Sequence, residues 1–384
     1  MHFRKYNNII IPSVLIVSLV VNILFILSSV LFDFKAFLAD REKKTLSAMN
    51  STVEEFRKEI ADASFKMIQN GAGYAPTRRG HIIEQLEYNL CGESREHNFT
   101  RSEMGWMFYA VLEDAIKNKD EDRISELESI FRKDVMNKPF KKVDQSLYGM
   151  VAILLHRTTQ NNEYKSYADS LYAWLQSINS KFGMQYVVGS SINLVDGVGM
   201  YTPFLVFYSE EYGIKEAYDL AIEQVYIYNK YGVDKETGMP CHGFYTSEPY
   251  IKAGSINWGR GTAWYALGLY PIKMMDYNDE NKEIVCKFNK SILKLKSEDN
   301  TYSQFIGEVG GADLTATLPI LYYLQKAGII KLRKDELLRF SIYSHNGLLK
   351  NSSGPTQALN RYSEFTGSNP LAQAFMLLLL LEEE

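Results

Sequence analysis

Along most of the chain apolar residues recur every three or four positions, the spacing of one face of a helix. Leu147, Met150, Val151, Leu154 and Leu155 keep that spacing, and so do Ile214, Ala217, Tyr218, Ala221, Ile222 and Val225. Earlier, VEEFRKEIADASFKMI places Val53, Phe56, Ile60 and Phe65 near one face. GAGYAPTRRG, rich in turn formers, reads as a loop. Strand-like runs are nearly absent; MQYVVG and MPCHGFY are short exceptions inside connections. The pattern predicts an all-α protein. A charged, helix-prone segment runs from Lys35 to Gly71, and helix alternates with loop from Asn98 to the end.

One segment has a different pattern. From Ile9 to Phe32 there is no charged residue. At about 1.5 Å per residue this stretch is long enough to cross a hydrocarbon core of about 30 Å. A cleaved signal peptide has a shorter apolar region and a small-x-small exit, whereas the exit here reads LFDFKAFLAD. No cysteine lies nearby to carry a lipid. The expectation is a single uncleaved transmembrane anchor. Arg4 and Lys5 before it favour a cytoplasmic N-terminus with the main domain outside, and Lys35, Arg41, Lys43 and Lys44 after it pull the other way. The expected organisation is a tail and anchor at 1–34, a juxtamembrane helical segment at 35–97 that supplies the first helices of the domain, and the domain itself at 98–384.

The helical part repeats. VDQSLYGM at Asp144, VDGVGMYTPFL at Asp196 and WGRGTAWYALGL at Trp258 each open a helix after a long connection. Their starts lie about 50 to 60 residues apart, a period that signals a helical array. Such an array runs open as a solenoid or closes into an (α/α) toroid. In a toroid alternate helices form an inner ring with their N-termini at one end. Asp144, Asp196 and Trp258 would then surround one mouth.

Composition narrows the chemistry. A net charge of -4 gives no electrostatic argument for nucleic acid. The three cysteines, Cys91, Cys241 and Cys286, form neither a disulfide framework nor a metal-ligand pattern. Cys241 reads as a small buried hydrophobe. His81, His97, His156 and His345 have no ligand spacing, so no metal is expected, and no nucleotide fingerprint implies a cofactor.

Asp144 and Asp196 are the candidate acids. Either one alone reads first as a helix N-cap. The matched neighbourhoods favour more, because two carboxylates at one mouth can share a proton, and an Asp among few counter-charges makes a general acid. Arg260 lies between Trp258 and Trp264 with Gly259 and Gly261 at its sides. Arg binds a carboxylate bidentately, and Trp264 falls on the same helix face, so an acidic sugar fits as well as a packed arginine does. His242 follows the turn in TGMPCHGFY. Asp313 in GGADLTATLPI reads as a cap, and EFTGSNPLAQAF reads as one more loop leading into a helix.

These motifs resemble one family. VDGVGMYTPFL, then TGMPCHGFY, then WGRGTAWYALGL, preceded by VDQSLYGMVAILLHRTTQNNEYKSYAD, are similar in order and spacing to the unsaturated glucuronyl and rhamnogalacturonyl hydrolases of glycoside hydrolase families 88 and 105. The resemblance runs from Gly105 to Ile272 and more faintly beyond. It implies an (α/α)6 toroid and a metal-free hydration of a 4,5-unsaturated uronic acid. Asp196 would be the general acid/base and Asp144 the second carboxylate, with His242, Trp258, Arg260 and Trp264 binding substrate. Three departures bear on the substrate: Thr262-Ala263 after Gly-Arg-Gly, QYVVGSSINLV before Asp196, and DLTATL at Asp313. The alternatives are an ordinary glycosidase or lyase on an acidic polysaccharide, and a non-catalytic protein of glycan binding or polysaccharide assembly.

Overall fold

The computed structural model describes residues 16–23, 52–77, 90 and 94–382. Within the apolar N-terminal segment, 16–23 is helical with exposed side chains, and Asn22 donates to the Ser18 carbonyl one turn back at 2.7 Å. The rest of the expected anchor lies outside the described residues. Among the described residues no helix is long and apolar enough to cross a membrane.

Besides the segment 16–23, the single turn Arg95–Asn98 and short 3-10 turns, the helices in chain order are α1 (Val53–Asn70), α2 (Ser102–Lys117), α3 (Glu121–Ile130, continued by a π-turn to Met136), α4 (Leu147–Thr159), α5 (Asn162–Ile178), α6 (Val195–Tyr212), α7 (Lys215–Tyr231), α8 (Gly259–Leu269), α9 (Asp279–Lys294), α10 (Leu314–Lys326), α11 (Lys334–Leu338) and α12 (Pro370–Leu381). The even-numbered helices form an inner layer. Each packs on the next, from α2 through α4, α6, α8 and α10 to α12, and α12 packs back on α2. The array therefore closes. The odd-numbered helices lie outside: α1 covers α12 and α2, α3 covers α2, α5 covers α4, and α7 covers α6.

Sequence pattern explains the two layers. An outer helix needs one apolar stripe, and α1 buries Phe56, Ile60, Ala61, Met67 and Ile68 while Glu54, Glu55 and Lys58 stay in water. Thr52 caps it by accepting from the Glu55 N–H at 3.1 Å, and Gly71 ends it at φ 59°. Arg57 makes a buried ion pair to Asp114 of α2. An inner helix touches neighbours on every side, and α12 is apolar all round, buried from Pro370 to Leu380. Rings from adjacent and facing inner helices meet inside the ring. Trp106 of α2 contacts Phe375 of α12 at 4.9 Å and Tyr270, at the end of α8, at 6.4 Å, and Tyr109 of α2 meets Phe207 of α6 at 6.0 Å. This cluster fills the middle of the ring.

Short strands hold the loops. β1 (Ala75–Pro76) pairs with β8 (Thr366–Ser368), which pairs with β7 (Ser352–Ser353). β2 (Ile192–Leu194) pairs with β3 (Gly243–Tyr245), which pairs with β4 (Lys252–Ala253), and β5 (Ser344–His345) pairs with β6 (Leu348–Leu349). The GFY part of MPCHGFY is strand β3, as its pattern suggested. MQYVVG is not a strand but a loop closed by a turn from Val187 to Ser190. GAGYAPTRRG begins as loop yet contributes β1, because a partner far along the chain pairs with it.

Helix spacing within the ring depends on missing side chains. A Cβ on Gly199 of α6 would lie 2.2 Å from the Trp264 carbonyl oxygen of α8, and one on Gly268 of α8 would lie 3.0 Å from the Val198 carbonyl oxygen. The backbones of α6 and α8 touch here, so no side-chain rotation relieves the clash. Gly199→Ala is expected to cost about 2 kcal/mol or more in urea unfolding. Gly311→Ala, with nothing within 4 Å of its Cβ, should stay within about 0.5 kcal/mol of the parent.

Candidate active site

The N-termini of the inner helices gather at one end of the ring, and each brings a polar side chain. Glu103 is the second residue of α2, Asp196 the second of α6 and Arg260 the second of α8. Asp144 lies in the 3-10 turn Val143–Ser146 that leads into α4. Asp313 and Asn369 cap α10 and α12.

Backbone pairing sets Asp196 beside His242. Leu194 of β2 stands opposite Gly243 of β3, and the Val195 N–H donates to the His242 carbonyl at 2.9 Å. The next residue of the chain is Asp196. Its Oδ2 lies 3.6 Å from His242 Nε2. The His242 ring packs on Trp258 with centroids 4.2 Å apart, and Tyr362 packs on both rings. Tyr186 donates from its hydroxyl to Asp144 Oδ1 at 3.2 Å.

Neither candidate acid acts as a cap. Leu194 is the N-cap of α6 and Ser146 that of α4, and neither helix start has a side-chain capping bond. Asp144 Oδ2 and Asp196 Oδ2 are buried without a hydrogen-bond partner among the described residues. An unsatisfied buried carboxylate oxygen costs stability, so its retention points to a ligand or a proton. Asp313 is the cap that its sequence suggested, accepting at Oδ1 from the N–H and hydroxyl of Thr315 and from the Ser353 N–H, while its Oδ2 is likewise buried without a partner among the described residues.

Burial sets the protonation of this mouth. It pushes Asp196 up to about 7, with Arg260 opposing and Asp144 and Glu103 adding to the shift. It pushes Asp144 up to about 6, with the charge of Glu103 next in importance. Burial also works against ionisation of Glu103, but Arg101 and Arg260 outweigh it and hold that carboxyl below its ordinary range. Burial, then Arg260, push His242 down to about 4. Near neutral pH the mouth thus holds one firmly ionised carboxylate, two carboxyls close to their titration points, and a neutral imidazole.

Arg260 is 4 % exposed and committed to the protein. It donates to the carbonyls of Ser353 and Gly354 at 3.2 and 2.9 Å and to the Thr356 hydroxyl at 2.9 Å, with its guanidinium over the Trp258 ring. It is less a bare clamp for an acidic sugar than a bolt from α8 to the β7 loop and a source of positive field. Trp258 joins the aromatic cluster, whereas Trp264 is buried one turn on, its backbone against Gly199. Thr262, one of the departures, donates from its hydroxyl to the Trp258 carbonyl at 3.1 Å. Cys241 is buried as expected, and burial pushes its thiol up.

Sequence reading missed Glu103, Tyr186 and Tyr362. Glu103 could have been found as the residue matching Asp196 and Arg260 at another inner-helix start. Tyr186 and Tyr362 sit on loops with no periodicity to mark them.

The family to which this ring of helices belongs makes it a glycoside hydrolase. Residues 82–350, well over half of the chain, match the profile of Glycosyl Hydrolase Family 88, and the chain belongs to that family. The structure resembles that of a possible member of GH105 family from Salmonella enterica subsp. enterica serovar Paratyphi A, with TM-score 0.67 at 15% identity over 86% of this chain and 93% of that one. It also resembles an unsaturated glucuronyl hydrolase from Bacillus sp. GL1, with TM-score 0.64 at 14% identity over 87% and 96% of the two chains. An alpha-1,6-mannanase of Salegentibacter sp. HEL1_6 shares the fold as well, with TM-score 0.59 at 12% identity over 87% and 99%. A search of curated proteins found no match.

Stability should show the cost of the buried acid. Below about pH 4 Asp196 is protonated both folded and unfolded. Between about pH 4 and 7 the unfolded chain releases the proton while the folded protein keeps it, so stability falls as pH rises. Asp196→Asn removes this penalty. It should stabilise the protein by about 2–4 kcal/mol at pH 8 and by much less at pH 4.5, read from urea midpoints at the two pH values.

Proposed function

We propose that this hydrolase removes a 4,5-unsaturated uronic acid from the non-reducing end of oligosaccharides by hydrating its vinyl ether. The observation that carries the proposal is Asp196, a carboxyl with one buried, unpartnered oxygen that keeps a proton to about pH 7. Vinyl ether hydration needs such a donor, because the first step adds a proton to carbon. Asp196 gives its proton to C4 of the unsaturated sugar. Water then adds at C5, and Asp196, now ionised, takes up one of its protons. The resulting hemiketal opens to a ketone, the former ring oxygen becomes a hydroxyl on C1, and the hemiacetal formed there releases the rest of the glycan. Asp144 steadies the substrate and, when ionised, raises the proton affinity of Asp196. His242 and Trp258 line the sugar site, with Arg260 supplying positive field and Trp264 shaping the helix beneath.

In this reading 98–384 is an (α/α)6 toroid, 35–97 contributes its opening helices, and the stretch from Ile9 to Phe32 anchors it with the catalytic domain outside the cytoplasm. Support for the anchor is the uncharged run in the sequence, and resistance of the full chain to alkaline extraction from membranes would test it.

Lyase-generated oligosaccharides carry a conjugated double bond that absorbs in the ultraviolet. The protein is expected to bleach that absorbance, and Asp196→Asn to slow the reaction by roughly 10²–10⁴-fold. The alkaline side of the kcat/KM profile should fall near pH 7, as Asp196 loses its proton. Cleavage of saturated glycosides with no bleaching would instead favour a two-carboxylate displacement. Tight glycan binding without product would favour the non-catalytic alternative.

A further inference from the structure

The ring beside Asp196 has one of its two nitrogens assigned by the backbone. The Ser255 N–H donates to the Tyr362 hydroxyl oxygen at 3.1 Å. That N–H can only donate, so it occupies one acceptor position of the hydroxyl. The same oxygen lies 3.1 Å from His242 Nδ1. Among the described residues this ring nitrogen is the hydrogen-bond acceptor within reach of the Tyr362 O–H, and the pairing that uses the O–H is the one in which it donates to Nδ1. A nitrogen that accepts carries no proton. In a neutral imidazole the proton then sits on Nε2, the atom 3.6 Å from Asp196 Oδ2.

We propose that Tyr362 is a positioning residue which, held by the Ser255 N–H, fixes His242 as the Nε2–H tautomer so that a neutral N–H donor faces Asp196. The 3.6 Å separation is longer than a hydrogen bond, so the contact is slack while Asp196 is protonated. Once the acid has lost its proton the Nε2–H closes on the carboxylate. A neutral donor suits this task. A cationic imidazolium would hold Asp196 ionised from the start and leave it no proton to give. The opposite tautomer would aim a lone pair at the carboxylate. Packing favours the same arrangement, since Tyr362 also packs at a tilt on Trp258 at 5.3 Å and edge-to-face with Phe305 at 5.2 Å, which sets its hydroxyl by contacts independent of the hydrogen bond. The catalytic part of this inference rests on Asp196 as proton donor, whereas the tautomer does not.

Tyr362→Phe keeps the stacked ring and removes only the hydroxyl. Nitrogen-15 NMR of labelled protein at pH 7 should show the parent His242 with a protonated Nε2 and an unprotonated Nδ1, and the variant as a mixture of tautomers with an unchanged melting temperature. On unsaturated oligosaccharides the variant should lose roughly tenfold in kcat with little change in KM, as expected for a contact that strengthens in the transition state. His242→Gln, whose amide N–H can stand in for Nε2–H, should retain more activity than His242→Asn, whose amide reaches only the Nδ1 position. A parent His242 protonated on Nδ1, or a tautomer unaffected by Tyr362→Phe, overturns the assignment. His242→Asn equal to or better than His242→Gln overturns its catalytic role. If the parent bleaches no unsaturated substrate, the proposed reaction fails, and the NMR result still decides the tautomer.

Discussion

Closure of the inner ring is the constraint on which the rest depends. α12, the last described helix, packs between α10 and α2, so the end of the chain completes the wall that its early helices begin. Each inner helix then has two inner neighbours, and most of its circumference is buried. The apolar character of α12 follows from that, as do the aromatic rings of α2, α8 and α12 meeting inside the ring. Closure also gathers the inner-helix N-termini at one mouth. Those termini carry unpaired N–H groups and a positive end of the helix dipole. Carboxylates can be placed there at a cost that a buried site elsewhere in the protein would not permit.

The mouth uses that allowance unevenly. Glu103 is ionised because Arg101 and Arg260 face it. Asp144 and Asp196, desolvated at the same mouth, keep their protons to higher pH. Three carboxyl groups of similar chemistry thus take different protonation states by position alone, which is how acid and base roles are separated within one site. Arg260 lies at the centre of this division. It is bonded to the β7 loop, so its charge is fixed in place and acts on Glu103, Asp196 and His242 alike.

A fold of this kind is shared by enzymes of different chemistry, as the likeness to both a glucuronyl hydrolase and a mannanase shows. The family assignment narrows the reaction to glycoside hydrolysis, and the state of Asp196 carries the proposal further. A displacement glycosidase divides its work between two carboxyls across the sugar, one protonated and one ionised. Here Asp144 and Asp196 are raised to different points, so near neutral pH Asp196 is the better proton donor and Asp144 the readier to ionise.

Much of the helical frame was legible in the sequence. The spacing of Leu147 to Leu155 and of Ile214 to Val225 is the packing pattern of α4 and α7, because an apolar stripe has only one regular way to be buried. The repeat of loop-borne helix starts marked Asp144, Asp196 and Trp258, since one hairpin length brings equivalent residues to equivalent places. Solvent and protonation were not legible. An Asp at a helix start looks the same whether it caps or catalyses, and only the placement of Leu194 and Ser146 as the N-caps removed the first role from Asp196 and Asp144. The hold of the β7 loop on Arg260, some 90 residues on, could not be read from the sequence around it. Tyr362 reaches His242 across 120 positions of sequence. Local periodicity records which face of an element is buried, and it carries no information on which distant loop will lie against that face. The sequence therefore determined the helices and the residues at their starts, whereas ring closure decided their partners, their charges and their chemistry.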